Sequence, residues 1–278
     1  MKNKGFQGFD NFQLKYLALA CMLLDHIHYI FAFSGKIPEG FSMVGRLAAP
    51  LFLFCVIEGF EKTHDRKKYF LRIYVLSILM GLIRFGFYNV LSFAVRGDGF
   101  FPENAMLSSF IPLLVVLFGI RRLEEKKYVS GMILTVLPVI LPFLMMPLYQ
   151  IQDGIFPFLL NLVNFTVLPL HLLIRDGGTA TLITGVILYL FRKNRILQMV
   201  AFGGYVLIMD VALPLLMGVS VHDLMVSAYE WMEIFSVPFM LWYNGKRGHG
   251  NKYLFYWFYP LHIYVLYGLS LLVFAWIG

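Results

Sequence analysis

The chain has 278 residues, 59% of them hydrophobic and 14% charged, with a formal net charge of +7 and a mean hydropathy of +0.73. Soluble domains carry roughly a quarter charged residues, so this composition excludes an ordinary water-soluble domain and points to helices whose backbone is satisfied inside lipid. Nucleic acid is not an expected partner, because the cations gather in short loops, as membrane orientation requires, and the short alternating strands of a β-barrel are not seen.

Apolar runs of about 18 residues or more read as spans. The first, Phe12–Phe33, holds Asp25, His26 and His28. A charge at that depth costs roughly 2.5–3.5 kcal/mol on insertion scales, so something within the membrane must satisfy or use it. The run is longer than a signal-peptide core, and no Ala-x-Ala stands at its end. Cys21 and Cys55 lie in apolar segments and read as small buried hydrophobes without a disulfide. Further runs follow at Ser42–Phe60, Tyr69–Phe93, Met106–Ile120, Tyr128–Leu148, Ile155–Ile174, Thr179–Phe191, Ile196–Met217, Met225–Tyr243 and Tyr253–Ile277. The connections are short, so the expectation is one integral-membrane domain over residues 1–278.

Four helices open on Lys-Tyr pairs: Lys15-Tyr16, Lys68-Tyr69, Lys127-Tyr128 and Lys252-Tyr253. These read as snorkelling cations beside interfacial aromatics. Five segments are cation-rich: the stretch with Lys2 and Lys4, then Glu61–Lys68, Arg121–Lys127, Arg192–Arg195 and Lys246–Lys252. Placing all five in the cytoplasm works for the first five spans but fails for ten full crossings. Ile155–Ile174 contains Pro157, Asn161, Asn164, Pro169 and His171, and is expected to be re-entrant or split into half-helices around a cavity. The expected fold is therefore all-α and polytopic, with nine to ten membrane helices. Nine crossings put the N-terminus in the cytoplasm and the C-terminus outside an inner or plasma membrane; ten ordinary spans are the rival.

At about 1.5 Å rise per residue, Asp25, His26, Arg46, Arg84 and Asp210 fall at mid-depth or in the outer half. His262 falls near the middle of the last span, and Glu58 and Arg72 near the cytoplasmic face. Asp25 and His26 are adjacent and point about 100° apart, so Asp25 is expected to pair with Arg46 or Arg84. That pair is either a structural tie between helices or part of a substrate site in which His26 takes a proton. Tyr259 and His262 lie one turn apart in Phe255-Tyr-Trp-Phe-Tyr-Pro-Leu-His262; they form either an aromatic packing face or part of the same site. Tyr243-Asn-Gly-Lys-Arg-Gly-His-Gly250 is glycine-rich and basic. It suits either a positive-inside turn or a cradle for phosphates. His26 and His28 at i,i+2 make a poor shared ligand pair, and no metal is expected.

The stretch Leu14-Lys-Tyr-Leu-Ala-Leu-Ala-Cys-Met-Leu-Leu-Asp-His26, with Gly45-Arg46, Pro50-Leu-Phe, Glu58-Gly-Phe60, Thr63, Tyr69 and Arg72, resembles the opening of the TraX family. Tyr243-Asn-Gly-Lys-Arg-Gly248 and Phe255-Tyr-Trp-Phe-Tyr-Pro-Leu-His262 resemble its ending. Between about Val90 and Met225 the likeness is in hydropathy alone. The family is named for acetylation of the conjugative pilin N-terminus and is considered related to membrane acyltransferases that draw on cytosolic acyl-CoA. The wider acyltransferase-3 group carries Arg-x10-His in its first helix; Lys15 and His26 have that spacing here, with a point charge in place of a planar fork.

The resemblance implies an acyl-CoA-dependent O- or N-acetyltransferase with acetyl-CoA as donor. The implied acceptor is a pilin-like peptide, a glycan or a lipid. Its catalytic residues would be His26, Asp25 and His262, with Arg46, Glu58, Arg84 and Tyr259 shaping the site. Lys15, Arg72, Asn244, Lys246 and Arg247 would hold the donor. Two other classes fit the residues: a proton-coupled transporter or exporter built on the buried Asp, Glu and His groups, and a non-catalytic membrane scaffold.

Overall fold

The computed structural model describes residues 8–277, apart from the side chains of Ser92, Lys252 and Tyr253. Lys2 and Lys4 and the Lys252-Tyr253 anchor therefore lie outside what is described. Within that range the helices run α1 Asn11–Phe31, α2 Gly40–Gly45, α3 Ala48–Lys62, α4 Arg66–Asn89, α5 Met106–Glu124, α6 Tyr128–Met145, α7 Phe156–Phe165, α8 Gly178–Leu190, α9 Arg195–Val206, α10 Leu213–Leu216, α11 Val221–Val226, α12 Val237–Leu241 and α13 Lys252–Ile277. Seven helical stretches among the described residues are long and apolar enough to cross a membrane: Asn11–Ser34, Gly40–Lys62, Arg66–Asn89, Met106–Glu124, Tyr128–Gln150, Arg195–Leu216 and Leu254–Ile277. Two shorter apolar helices, Phe156–Phe165 and Gly178–Leu190, accompany them. The protein is an all-α polytopic membrane protein.

Proline accounts for most interruptions, because it withholds an N–H and its ring meets the carbonyl four residues back. Pro50 deprives the Arg46 carbonyl of its partner, and α2 and α3 part at Arg46–Leu47. Pro214 does the same to Asp210, and the helix there widens into a π turn over Leu207–Ala212, a distortion found mostly at functional sites. Ile155–Ile174 is broken, as its composition predicts: α7 is ten residues long, and irregular chain and a 3-10 turn at His171–Leu173 follow it. That irregular chain is satisfied from within. The Asn164 side chain accepts from the Leu170 N–H at 3.0 Å and the Tyr74 hydroxyl donates to the Val167 carbonyl at 2.8 Å.

Met225–Tyr243 departs from the expectation of a span. It is the end of α11, a 3-10 segment over Tyr229–Ser236 and the five-residue α12. Pro238 cannot donate to the Ile234 carbonyl, which takes the Val237 N–H in a tighter turn instead. Met225–Tyr243 thus joins Ile155–Ile174 as a run that forms no single long helix, where the charge count pointed to one such run.

The chain forms two compact units. One comprises its described residues 8–62 and 187–277. In it α1 packs against α2, α3 and α13, while α9 packs against α12 and the 3-10 segment. Asp10 caps α1 in a reciprocal box with Gln13, both bonds at 2.9 Å, which satisfies two otherwise orphaned donors. Leu14, Ala18, Cys21, Met22, His26 and Ile30 form its buried stripe. Cys21 and Met22 meet Ala48 of α3 and Phe258 and Tyr259 of α13.

The other unit, Thr63–Val186, is built from α4, α5, α6 and α7 with the start of α8. Asp176 caps α5 by accepting from the N–H groups of Ala105 at 2.7 Å and Met106 at 2.9 Å. His171 is buried with both ring nitrogens engaged, by the Thr179 hydroxyl at 2.9 Å and the Val139 carbonyl at 3.2 Å, and so acts as a packing histidine. Gly81 lets α4 touch the end of α7, where a β-carbon would collide with the Phe165 carbonyl oxygen. Gly81→Ala is expected to destabilise this unit by about 1–3 kcal/mol, the usual range for overpacking; thermal unfolding in detergent measures it.

Candidate functional site

Three polar constellations lie in the unit that contains α1. The deepest is a pair of imidazoles. His26 of α1 and His262 of α13 are both buried, at 7% exposure. His26 Nδ1 and His262 Nε2 are 2.6 Å apart. The rings are inclined by only 16° with centroids 4.9 Å apart. With so short an N···N distance, these values describe rings meeting edge to edge around an in-plane hydrogen bond, not rings stacked face to face.

The tautomers follow from the next partner. His262 Nδ1 lies 2.6 Å from the Phe258 carbonyl. A carbonyl can only accept, so Nδ1 carries the hydrogen and Nε2 the lone pair. His26 Nδ1–H therefore donates to His262, and the lone pair of His26 resides on Nε2. Phe258 stacks on the His262 ring at 4.7 Å, and Tyr259 meets it edge-on at 6.1 Å.

One residue earlier on α1, Asp25 points toward α2. Its Oδ1 accepts from the Ser42 hydroxyl at 2.8 Å and from the Arg46 guanidinium at 3.1 Å. Arg46 also donates to the Ser42 hydroxyl at 2.9 Å, lies 3.6 Å from Glu230 and sits 5.7 Å from the centre of the Tyr229 ring. Gly45 permits this closeness, since a β-carbon there would overlap the Asp25 side chain. Of the two arginines the sequence offers to Asp25, the structure pairs it with Arg46. His28 makes no hydrogen bond or ion pair to either constellation.

The third constellation centres on Glu58 of α3, which is 7% exposed. It pairs with Arg195 of α9 at 2.7 Å and with Lys62 at 2.9 Å. Arg195 also reaches Gln198 at 2.6 Å and lies over the Phe54 ring at 4.6 Å. Lys62 donates to the Tyr243 hydroxyl at 2.9 Å and the Gly245 carbonyl at 2.8 Å. Glu58 thus fastens the basic loop to α3 and α9. The same loop is tied to the start of α1. Phe9 N–H donates to Trp242 O at 2.8 Å, Asn244 N–H to Phe9 O at 2.9 Å, and Asn11 N–H to Lys246 O at 3.0 Å. The Asn244 side chain staples the loop, donating to Gly8 O at 3.3 Å and accepting from Lys246 N–H at 2.9 Å. Lys246 and Arg247 project as exposed cations. Lys15 sits between the rings of Phe12 and Phe255, 5.8 and 5.7 Å from their centres.

Arg84 and Arg72 belong to the other unit. Arg84 is buried with its guanidinium 5.0 Å from the Phe165 ring centre, and Arg72 is exposed on α4. The described residues contain no group of three or more His, Cys, Asp or Glu side chains placed to hold a metal. Sequence reading missed Ser42, Lys62 and Arg195. Ser42 is one helical turn from Arg46 and was open to an i,i+4 argument. Lys62 stands at i,i+4 from Glu58 and was open to the same argument, whereas nothing in the sequence joins Arg195, 137 residues on, to Glu58.

A polytopic helical membrane protein with buried, mutually satisfied histidines and ion pairs is the class that this geometry defines. The TraX protein family model matches residues 11–270, and the chain belongs to that family. It is 28% identical over 265 residues to a "Probable fimbrial assembly protein FimC, serogroup H1" of Dichelobacter nodosus, a match covering 93% of this chain and 94% of that protein. No solved structure matches the chain.

Removing the arginine of the Asp25 cluster leaves a carboxylate and a hydroxyl without their charged donor. Hydrogen bonds to charged groups contribute about 1.5–3 kcal/mol. Arg46→Gln is expected to lower stability by that order. Asp25→Asn in the same background should add little further, which a double-mutant cycle on thermal unfolding measures.

Proposed function

We propose that this protein is a membrane-embedded acyltransferase that moves an acetyl group from cytosolic acetyl-CoA to an amine or hydroxyl of a membrane or cell-surface acceptor. The observation that carries the reading is the in-plane bond between His26 and His262, anchored on the Phe258 carbonyl. It holds the lone pair of His26 at Nε2, the arrangement of a base whose other nitrogen is oriented by a second group.

In this reading His26 Nε2 takes the proton of the acceptor as its nitrogen or oxygen attacks the thioester carbonyl. The carbon–sulfur bond then breaks, and the same proton passes to the departing thiolate to give free coenzyme A. The imidazolium that forms in between keeps its Nδ1–H on His262, whose Nδ1–H remains on Phe258. Asp25, Arg46 and Ser42 shape the region one residue away on α1. Glu58 holds the loop bearing Lys246 and Arg247, whose exposed charges suit the phosphates of the donor. The orientation that fits has the cation-rich loops and the N-terminus in the cytoplasm and the C-terminus outside a plasma or inner membrane. The likeness to a probable fimbrial assembly protein supports a pilin-like peptide as acceptor, ahead of a glycan or a lipid.

General-base catalysis contributes about 10²–10⁴-fold. His26→Ala is expected to reduce acetyl transfer from radiolabelled acetyl-CoA into envelope material by that factor while the variant still folds, its stability in detergent lowered by no more than the roughly 1–3 kcal/mol of one lost buried hydrogen bond. His262→Ala should lose less, because it removes the group that orients the base and not the base itself. Coenzyme A should raise the melting temperature of the wild type by mass action, and the dephospho analogue should raise it less. Undiminished transfer by His26→Ala, or no response to coenzyme A at millimolar concentration, would remove the assignment.

A further inference from the structure

A cavity of 340 Å³ lies in the unit Thr63–Val186, where α4 begins, α5 ends and α6 begins. The constellations above make no use of it. Its wall carries five cations, Arg66, Lys67, Arg121, Arg122 and Lys127, against two carboxylates, Asp65 and Glu125, with the Phe118 ring among the lining groups.

Both carboxylates already have partners. Asp65 caps α4 by accepting from the Lys68 N–H at 3.0 Å and pairs with the Lys68 ammonium at 3.2 Å, which holds its carboxyl below the usual range. Glu125 pairs with Lys127 at 2.9 Å and Arg121 at 3.6 Å, and the Lys127 bond holds its carboxyl low. Lys67 makes no ion pair among the described residues, and Arg122 donates to the neutral Ser130 hydroxyl at 3.2 Å. Lys67 and Arg122 therefore bring the cavity positive charge that no ion pair among the described residues takes up.

The helix surface below the cavity is apolar and open. Lys67, Leu71, Val75 and Leu79 follow one another at i,i+4 on α4, and all four are exposed. On α6 Tyr128, Val129 and Met132, directly after Lys127, are 64%, 77% and 54% exposed. A cationic pocket at the end of an apolar helical stripe matches an amphiphile with a phosphate head and hydrocarbon tails. Basic pockets between membrane helices on the cation-rich side bind such head groups.

We infer that this cavity is a binding site for an anionic phospholipid, with the head-group phosphate between Lys67 and Arg122 and an acyl chain along Leu71, Val75 and Leu79. The site stands independently of the acetyl-transfer reading.

The test uses the full chain in a neutral detergent, titrated with phosphatidylglycerol or phosphatidylcholine and followed by native mass spectrometry. Phosphatidylglycerol should bind more tightly than phosphatidylcholine. Each basic residue near an anionic head group contributes about 1 kcal/mol, so Lys67→Gln should weaken phosphatidylglycerol about fivefold. Lys67→Gln with Arg122→Gln should weaken it about 25-fold, with phosphatidylcholine unchanged. Lys193→Gln, an exposed loop cation outside the cavity, should have no effect. Should the double variant fail to fold, the single variant at exposed Lys67 decides the matter. Equal binding of the two lipids, or an equal loss in Lys193→Gln, would overturn the inference. Displacement of phosphatidylglycerol by coenzyme A or inorganic phosphate in the wild type but not in the variants would assign the pocket to a soluble phosphate instead.

Discussion

An ionisable side chain in hydrocarbon has to find its partner inside the protein, and here Asp25 and His26 of α1 find theirs on different helices. Asp25 reaches α2 and the turn after it, whereas His26 reaches α13. Because the two residues are adjacent, their directions diverge by about a quarter-turn and more, and α1 is fixed on two sides at the same depth. Where α1 sits therefore follows from chemistry as much as from packing: a sliding or rotated α1 would strand a carboxylate and an imidazole together, at several kcal/mol.

That constraint also separates two kinds of polar group. The Asp25–Ser42–Arg46 set is part-exposed and closes on itself through charge, so it can serve as architecture without further chemistry. With both rings neutral, the hydrogen bonds of the imidazole pair run in one direction, from His26 through His262 to a backbone carbonyl. Directional neutral chains of this kind hold a ring nitrogen ready for a proton without burying a net charge. The π turn at Asp210 and the broken helix at Arg46 place further irregular backbone in the same unit, and irregular backbone at depth is tolerated only where protein or a cavity surrounds it.

Much of this was legible in the sequence because hydropathy, proline and charge act locally. The all-α membrane class, most span positions, the break over Ile155–Ile174 and the choice of Asp25, His26, Arg46 and His262 as notable residues all came from composition within a single segment. Met225–Tyr243 was misread because nineteen largely apolar residues look the same whether they run as one helix or fold into a 3-10 segment and a stub; the decision rests with Pro238 and with how Glu230 meets Arg46. Pairings across the chain were out of reach. Glu58 could be seen to need a cation, but Arg195 lies 137 residues away, and only the packing of α3 on its neighbours selects it. The edge-to-edge meeting of two histidines separated by 236 residues was equally invisible, although each had been singled out.

The long separation has an outcome for biogenesis. His26 is on α1 and His262 on α13, 236 residues further along the chain. At about 5–20 residues per second of synthesis, roughly 12–50 s pass before the partner exists. Throughout that interval the imidazole of α1 is without His262. The fold of this unit is consequently finished late, when α13 is made and the bond between the two imidazoles can form.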